Sequence, residues 1–176
     1  MRVEQYVEYE ISSDLHSSIE ILRNSCFPKH RQPRSYGKQF PHFRFLAFVD
    51  DRLVGHLGVD HRAMRFGDRV FSIFGVIDLC VAEDERSHGI AGTLLASLED
   101  HAKRGKIDLL VLLADRPELY CKNGFHRIDA ECRWLGIDDH QNMGIIEEHL
   151  SGELMIKLIG IDEMPTSPID FLGYLF

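Results

Sequence analysis

The chain has 176 residues, 44% of them apolar, and a formal net charge of −8, which fits one globular domain with a real core. Nucleic-acid-binding proteins usually carry a basic stripe, and this acidic sequence shows none, so we expect no nucleic acid as a partner. Its acidity would attract a cationic small molecule such as an amine, although mild acidity also simply keeps a protein soluble.

The N-terminal half is predicted to contain one helix among antiparallel strands. Ser12 and Ser13 offer an N-cap for an amphipathic run that Pro28 stops. Hydrophobic alternation and turn residues mark the strands on either side of this helix. The predicted elements are a strand over 3–11, the helix up to Cys26, a polar loop over 29–41, hairpin strands over 43–49 and 53–59, a turn at 67–68 and a long apolar strand over 70–81.

The second half begins with a strand–loop–helix–strand unit. Apolar residues from Ile90 to Ala102 mark one face of an amphipathic helix that Gly105 ends. The apolar run 107–114 is typical of a strand buried on both faces, and a crossover of this length makes the two strands parallel. Further predictions are a short helix over 117–122 closed by Asn123-Gly124, strands over 125–128, 133–137 and 154–159, and a surface loop over 162–176.

These elements predict a single-domain α/β fold with a mixed sheet, in which antiparallel N-terminal strands precede the strand–loop–helix–strand core. The four cysteines, Cys26, Cys80, Cys121 and Cys132, form no CxxC pair, so we interpret them as reduced thiols. The histidines show no metal-binding spacing, and no metal site is predicted. The N-terminus lacks the apolar segment of a signal peptide and no stretch could span a bilayer, which predicts a cytoplasmic protein without membrane association.

The segment between the apolar strand and the helix is the most informative part of the sequence. The first amides of a helix lack intrahelical acceptors and lie at the positive end of its dipole. Gly89, just before this helix, lets a ligand approach the backbone closely, and Arg86 adds a charge suited to phosphate oxygens. The segment therefore predicts a pyrophosphate-binding loop. An ordinary turn, in which Gly89 serves only the bend, is the alternative, and neither a Walker A motif nor a dinucleotide fingerprint occurs.

With these residues the sequence resembles the GNAT superfamily of acetyl-CoA-dependent N-acetyltransferases. Arg86–Ala91 (RSHGIA) is similar to the superfamily loop Arg/Gln-x-x-Gly-x-Gly/Ala, and Leu119–Phe125 (LYCKNGF) resembles its FYxKxGF element. The two motifs occur in the superfamily order with an apolar strand between them. The patterns at 53–58 and 75–78 and the tail ending in GYLF resemble most the aminoglycoside 2'-N-acetyltransferases and, more weakly, the nodulation N-acyltransferases. The Asn that many members place after the fifth strand is missing here.

The resemblance implies a site for acetyl-CoA and roles for individual residues. Tyr120 matches the tyrosine that protonates the leaving thiolate of coenzyme A, and a phenol pKa of about 10 makes this donation reasonable; a core tyrosine is the alternative. Asp78 holds the position where many members carry a Glu acting as base, and a structural salt bridge or a solvated carboxylate is the alternative. The residues implied to bind the cosubstrate are Leu79, Cys80, Val81, Arg86, Ser87, His88, Gly89, Ile90, Ala91 and Gly92.

The sequence therefore predicts an acetyl-CoA-dependent N-acyltransferase that transfers an acetyl group to a primary amine of a small cationic acceptor by direct attack on the thioester. A non-catalytic acyl-CoA-binding module and an acyltransferase with a longer acyl donor stay open as alternatives. The presence of both Tyr120 and Asp78 favours an enzyme. We expect a small-molecule amine as the partner, with no nucleic acid and no membrane, and a homodimer stays open.

Overall fold

The computed structural model describes residues 1–165 and 168–176. These residues divide into two compact units, the first formed by Met1–Val59 and Ile77–Leu98 and the second by Asp60–Val76 and Glu99–Phe176. Two short 3₁₀ turns, Glu8–Glu10 and Glu83–Glu85, accompany the main elements. In chain order the helices and strands are β1 (Arg2–Val7), α1 (Ser13–Cys26), β2 (Phe43–Val49), β3 (Arg52–Phe66), β4 (Arg69–Val81), α2 (Ile90–Arg104), β5 (Leu109–Leu113), α3 (Glu118–Lys122), β6 (His126–Asp138), β7 (Gln141–Leu158) and β8 (Ile169–Tyr174).

The first unit contains antiparallel strands and the helix α1. β1 pairs antiparallel with β2, and β2 pairs antiparallel with the first part of β3 across the turn at Asp50-Asp51. Both turn residues have positive φ angles, 46° and 62°, as a tight two-residue hairpin requires. Ile19 of α1 is fully buried against Leu46 and Phe48 of β2. The predicted hairpin and the predicted helix are therefore both confirmed.

The second unit carries a mixed set of strand pairings. β4 pairs parallel with β5 over Ile73–Gly75, as the predicted crossover through α2 requires. β5 and β6 each pair antiparallel with β7, whereas β6 pairs parallel with β8. Leu109 and Val111 of β5 are completely buried, which explains why this segment is almost purely apolar. Parallel and antiparallel pairs in one chain with α-helices confirm the predicted α/β class with a mixed sheet.

The predicted surface loop over 162–176 is wrong in its C-terminal part, because β8 occupies Ile169–Tyr174. Residues 162–165 form neither a helix nor a strand, and residues 166 and 167 of this prediction lie outside the described residues. β8 pairs with β6 and also with the end of β3. Its Ile169 and Phe171 point inward and are 1% and 0% exposed. The guanidinium of Arg62 lies 4.6 Å and 4.2 Å from the ring centroids of Tyr174 and Phe176, so cation–π contacts also hold the tail.

Two further predicted boundaries are corrected by the structure. The strand predicted over 3–11 ends at Val7, because Glu8 turns inward in a 3₁₀ turn and is buried. The two strands predicted over 125–128 and 133–137 form the single strand β6, which stays paired with β7 through two register shifts. Within the described residues, no helix is both long enough and apolar enough to cross a membrane.

Candidate functional site

Asp78 interrupts the extended backbone of β4 inside the first unit. Its φ angle is 49°, a left-handed conformation that Asp tolerates better than most residues. The main-chain carbonyl of Asp78 lies 2.9 Å from His56 Nδ1, and its carboxylate Oδ2 accepts a hydrogen bond of 2.6 Å from Arg23 Nε. Both the backbone and the side chain of Asp78 are therefore held by buried polar partners.

His56 is buried in one defined protonation state. Arg44 Nη1 lies 2.9 Å from His56 Nε2, and because a guanidinium can only donate, Nε2 must be the acceptor. The ring proton therefore resides on Nδ1, which donates to the carbonyl of Asp78. Burial, with a further contribution from the charge of Arg44, lowers the pKa of His56 to about 3, so the ring stays neutral at physiological pH.

Arg44 connects His56 to a buried carboxylate. Its side chain is fully buried, and Nε and Nη2 donate to the two carboxylate oxygens of Glu8, each at 2.6 Å. Nη1 also donates to the carbonyl of Ser35 at 2.8 Å. Such a bidentate pair offsets the cost of burying both charges. Hydrogen bonds thus run without interruption from Glu8 through Arg44 and His56 to the backbone of Asp78.

Sequence reasoning missed this buried network, although the sequence carries a signal for it. Arg44 lies within the apolar run FRFLAFV, and His56 lies within LVGHLGV. A charged or polar side chain in a buried strand needs a partner, so these two positions predict polar contacts. Nothing in the local pattern identifies Glu8, which is 36 residues from Arg44, as the partner.

The ion pair between Arg23 and Asp78 bears directly on the predicted role of Asp78. The side chain of Arg23 is 4% exposed and that of Asp78 is 24% exposed. Arg23 Nη1 is buried without a hydrogen-bond partner among the described residues, so Asp78 is the counter-ion of an otherwise poorly satisfied arginine. The salt bridge of the structural alternative for Asp78 is therefore present.

The loop before α2 has the features of an anion-binding helix N-terminus. Thr93 N and Thr93 Oγ1 both donate to the carbonyl of Gly89, at 3.0 Å and 3.2 Å, which makes Gly89 the residue that opens the helix. Gly89 has a φ angle of 79°, and a Cβ built on it would meet nothing within 4 Å among the described atoms. A glycine here has no side chain to accept from the amides of Ile90, Ala91 and Gly92, which also lack intrahelical acceptors.

A close contact with β3 sets the position of this helix start. A Cβ on Gly55 would lie 2.9 Å from Ile90 Cγ2 and 3.1 Å from Leu94 Cδ1. Since real side chains do not approach so closely, glycine at position 55 lets the first turn of α2 pack directly on the strand. Ile90 and Leu94 are consequently buried, whereas Ser87, His88 and Gly89 remain exposed.

Arg86 lies where the end of β4 meets this loop. Its side chain is exposed, and Nε donates to the carbonyl of Val81 at 3.3 Å. His88 contacts Glu85 at 3.4 Å and is 65% exposed. Val81, Arg86 and the helix start at Gly89 all lie in the first unit, and the side chain of Arg86 reaches the backbone of Val81.

An open groove of about 500 Å³ also lies in the first unit, between α1 and the residues that flank the hairpin turn. Arg52 beside it forms ion pairs of 2.8 Å with both Asp84 and Glu85. The groove contains neither Asp78 nor the loop residues 86–91, so it is not the predicted cosubstrate site. Its lining residues are Ser18, Ile21, Leu22, Ser25, Asp51, Arg52, Leu53, Ala82, Glu83 and Asp84.

Tyr120 belongs to α3 of the second unit. Its carbonyl accepts from the amides of Asn123 and Phe125 at 2.9 Å and 3.0 Å, and its ring packs edge-on against Phe125 with centroids 5.9 Å apart. Gly124 closes the turn with a φ angle of 83°. The segment Leu119–Phe125 thus folds as a short helix with a tight closing turn, as predicted. Among the described residues, no group of His, Cys, Asp and Glu side chains is arranged to hold a metal ion.

Comparison with known families identifies the class of protein. Residues 10–128 match the family described as Acetyltransferase (GNAT) domain. Because this match covers well over half of the chain, the protein belongs to the GNAT acetyltransferase family. The superfamily resemblance seen in the sequence is confirmed, whereas the finer resemblance to the aminoglycoside 2'-N-acetyltransferases is not shown. A comparison with curated protein sequences gives no match.

Solved structures show the same fold at low sequence identity. YhbS of Escherichia coli, a GNAT family N-acetyltransferase in complex with CoA, is 18% identical, with a TM-score of 0.65 over 97% of this chain and 90% of that chain. A GNAT family acetyltransferase from Brucella melitensis in complex with acetyl-CoA is 15% identical, with a TM-score of 0.62 over 96% of this chain and 94% of that chain.

A third similar structure is much longer than this protein. The GCN5-related N-acetyltransferase from Anabaena variabilis is 17% identical, with a TM-score of 0.61, and the match covers 75% of this chain. This chain spans only 34% of the Anabaena variabilis protein. The shared part is therefore the fold, and these similarities carry no information about acceptors.

Proposed function

We propose that the protein is an acetyl-CoA-dependent N-acyltransferase that acetylates a primary amine of a small cationic acceptor. The observation that carries this proposal is the start of α2, where Gly89 opens the helix, leaves its first amides without a side-chain cap and has open space around its Cα. A pyrophosphate is an anion that such a helix start can bind. Membership of the GNAT family supports acetyl-CoA as the source of that pyrophosphate.

The proposed binding mode divides the cosubstrate between the loop and the strand β4. Amides of the first turn of α2 and the guanidinium of Arg86 would hold the pyrophosphate oxygens. The pantetheine arm resembles a peptide, and the backbone of β4 could pair with it as a strand would. The residues proposed to bind are Leu79, Cys80, Val81, Arg86, Ser87, His88, Gly89, Ile90, Ala91 and Gly92.

The proposed reaction is a direct transfer between two substrates. The lone pair of a neutral amine attacks the thioester carbonyl carbon, a bond from nitrogen to carbon forms, and the bond from carbon to sulfur breaks. The amine loses a proton to a base, and the thiolate of coenzyme A gains a proton from an acid. We propose Tyr120 as this acid on the strength of its motif Leu119–Phe125 alone.

Asp78 remains our candidate for the base, and its ion pair with Arg23 supports the competing structural role. As a base it would take the amine proton directly or through a water molecule, using a side chain that is 24% exposed. As a structural carboxylate it would only neutralise Arg23. If the structural role is correct, a non-catalytic acyl-CoA-binding module becomes the second candidate function, because the predicted base is then absent.

An assay of thiol release from acetyl-CoA against a panel of amines tests the proposed activity. We expect turnover with polyamine-like or other cationic primary amines, and we expect kcat/KM for these acceptors to fall as salt screens the acidic protein. Turnover only with neutral or anionic acceptors would contradict the proposal of a cationic acceptor, but it would still agree with the proposed acetyltransferase activity. Binding of acetyl-CoA without turnover of any amine would favour the binding module.

Tyr120→Phe separates catalysis from binding within the same assay. The substitution removes one oxygen and keeps the ring that packs on Phe125. We expect kcat to fall by roughly 10²-fold, the range of a lost general acid, while the affinity for coenzyme A changes little. Phe125→Leu, which disturbs the same packing but leaves the phenol, is the control and should retain most of kcat. A Tyr120→Phe enzyme with unchanged kcat, under conditions where chemistry limits the rate, would contradict the assignment.

A further inference from the structure

The left-handed turn of β4 at Asp78 is held by a side chain from the neighbouring strand. Asp78 is the one residue of Arg69–Val81 with a positive φ angle, and its carbonyl lies 2.9 Å from Nδ1 of His56 in β3. Four residues further on, the amide of Ala82 donates to the carbonyl of Val54 at 2.8 Å, an ordinary backbone bond between the same two segments. At Asp78 the donor is an imidazole N–H, so the break in β4 depends on a side chain of β3.

One hydrogen bond at this carbonyl fixes the direction of a whole peptide group. A trans peptide is planar, with its C=O and N–H pointing in opposite directions. Because the carbonyl of Asp78 is directed at His56, the amide of Leu79 is directed away from it. The same hydrogen bond limits rotation of the Asp78 backbone, whose carboxylate lies 2.6 Å from Arg23 Nε. His56 therefore sets the backbone of two residues, Asp78 and Leu79, that we have proposed for the substrate site.

The imidazole of His56 is fixed in one orientation by a fully buried neighbour. Arg44 Nη1 donates to His56 Nε2 at 2.9 Å, so Nδ1 carries the ring proton. Arg44 is 0% exposed, and two hydrogen bonds of 2.6 Å join it to the carboxylate of Glu8. A half-turn of the imidazole would place carbon atoms opposite both the guanidinium of Arg44 and the carbonyl of Asp78. Both groups would then lose their partner inside the protein, which is costly for buried polar atoms.

Stability alone is a weak reason for this buried network. Apolar residues of similar size often replace a buried ion pair without loss of stability, and the rest of the strand segment around His56, LVGHLGV, is apolar or glycine. A fully hydrogen-bonded network instead imposes a defined geometry, and a backbone in a sparsely populated conformation persists only where its surroundings hold it. His56 is 1% exposed, so any effect of its side chain on substrates passes through Asp78 and Leu79.

We propose that His56 is a positioning residue for acetyl transfer, which holds the peptide between Asp78 and Leu79 so that the Asp78 carboxylate and the Leu79 amide face the substrates. The hydrogen bond of 2.9 Å to the Asp78 carbonyl carries this inference, which rests on the proposed function. Without that hydrogen bond the peptide can rotate toward the extended conformation of the surrounding strand. Both groups would then move away from the substrates, although every atom of Asp78 and Leu79 is still present.

His56→Leu and His56→Asn form a matched pair of variants for the test. Leucine removes the donor, whereas the amide nitrogen of asparagine lies as many bonds from Cα as Nδ1 does and can donate to the same carbonyl. With acetyl-CoA and the best amine of the panel, we expect kcat of His56→Leu to fall by roughly 10²-fold, the range of a misplaced reacting group, and His56→Asn to recover most of this loss. The dissociation constant of coenzyme A should change by less than about 10-fold, since no more than one hydrogen bond is lost.

Ile19→Ala is the control for a loss of stability without a loss of geometry. Ile19 is fully buried against β2, and its truncation leaves a cavity but removes no hydrogen bond of the network. Its kcat should equal that of the wild type at a temperature where the variant is folded. An active wild type with an unchanged kcat in His56→Leu would overturn the proposal, as would a His56→Asn protein as impaired as His56→Leu. A wild type that turns over no amine would instead contradict the proposed function itself.

A nitrogen NMR spectrum of the wild type, labelled at histidine and leucine, tests the geometry without turnover. We expect a neutral His56 ring with its proton on Nδ1, and we expect coenzyme A to shift the backbone amide resonance of Leu79. This shift should persist in His56→Asn and diminish in His56→Leu. A proton on Nε2 of His56, or a Leu79 amide that bound coenzyme A does not affect, would overturn the proposal even if His56→Leu fails to fold.

Discussion

The two long helices of this protein begin in opposite ways. α1 is capped by its own chain, because Ser12 Oγ accepts a hydrogen bond of 3.3 Å from the amide of Leu15 and Asp14 places a negative charge in the first turn. α2 begins at Gly89, which has no side chain, and its first turn contains no acidic residue. Each of these two helices has a partial positive charge at its N-terminus. In α1 the cap of Ser12 and the carboxylate of Asp14 stabilise that charge, whereas the first turn of α2 has neither feature.

This difference leaves the N-terminus of α2 open to the pyrophosphate that we propose binds there. At α2 the chain gives up the stabilisation that a capping side chain would provide. A glycine at that position makes sense where an external anion takes the place of the cap.

The largest effect on the free energy of unfolding is expected near the C-terminal end of α1, where Arg23 pairs with Asp78. Asp78→Asn leaves the guanidinium of Arg23, which is 4% exposed, without its counter-charge, and breaking a buried pair in this way costs about 3–5 kcal/mol. Urea denaturation measures the loss, with Asp84→Asn on the exposed Arg52 pair as the control, for which little or no change is expected.

The same variant sharpens the role of Asp78 in catalysis. If Asp78 is the base, Asp78→Asn should also lower kcat by roughly 10²-fold, the range of a lost general base. A loss of stability with kcat unchanged would mean that the residue, like the cap of α1, is structural. A protein as stable as the wild type would contradict the importance of the ion pair.

Acidification should weaken the buried network that holds the backbone of Asp78. His56 has its pKa lowered from 6.5 to about 3 in the folded protein. Below pH 6.5 the unfolded chain therefore binds a proton at His56 that the native state does not bind, and the free energy of unfolding falls. Between pH 6.5 and pH 5 the protonation of His56 in the unfolded chain should lower the free energy of unfolding by about 2 kcal/mol. His56→Gln should show a shallower decline over this range, and identical slopes for the two proteins would refute the assignment.

Removing the cap of α1 should have the smallest effect and should leave the ligand site untouched. Ser12→Ala is expected to lower the free energy of unfolding by about 1 kcal/mol, with no change in affinity for coenzyme A. Ser17→Ala on the exposed surface of the same helix, where Ser17 only donates to the carbonyl of Ser13, should change stability by less than about 0.5 kcal/mol. Equal effects of the two substitutions would show that the cap contributes nothing.

Local signals in the sequence were sufficient for much of the fold. Ser12 predicted the start of α1, and the apolar run 107–114 predicted the buried strand that pairs parallel with β4. The position of Gly89 before a helical run predicted the helix start at which the proposed site is built. Each of these features depends on residues close together in the chain, which is why periodicity and capping residues reveal them.

Features that depend on distant partners could not be predicted in the same way. The C-terminal segment forms β8 because β3 and β6 provide hydrogen-bond partners for its backbone and the core accommodates Phe171. Its prolines and short length are the reason that the local sequence pattern did not predict a strand. Likewise, Arg44 pairs with Glu8, which is 36 residues away in the chain. Asp78 adopts a left-handed backbone conformation that its neighbours in sequence do not specify. The resemblance identified the superfamily from two short motifs, but it did not indicate the ion pair that now competes with the predicted role of Asp78.

The binding of coenzyme A to variants of two matched glycines tests the central claim most directly. Gly89 and Gly144 have φ angles of 79° and 84°, and a Cβ on either would meet nothing within 4 Å among the described atoms. Gly89→Asp and Gly144→Asp therefore introduce similar backbone strain and the same charge, one at the start of α2 and the other on β7.

A thermal-shift titration with coenzyme A gives the comparison. At a concentration of 100 times Kd the ligand should stabilise the wild type and Gly144→Asp by about 2.7 kcal/mol. Gly89→Asp should show no shift, because a carboxylate at the helix start repels the pyrophosphate. An undiminished shift for Gly89→Asp, or no shift for the wild type at any accessible concentration, would contradict the account.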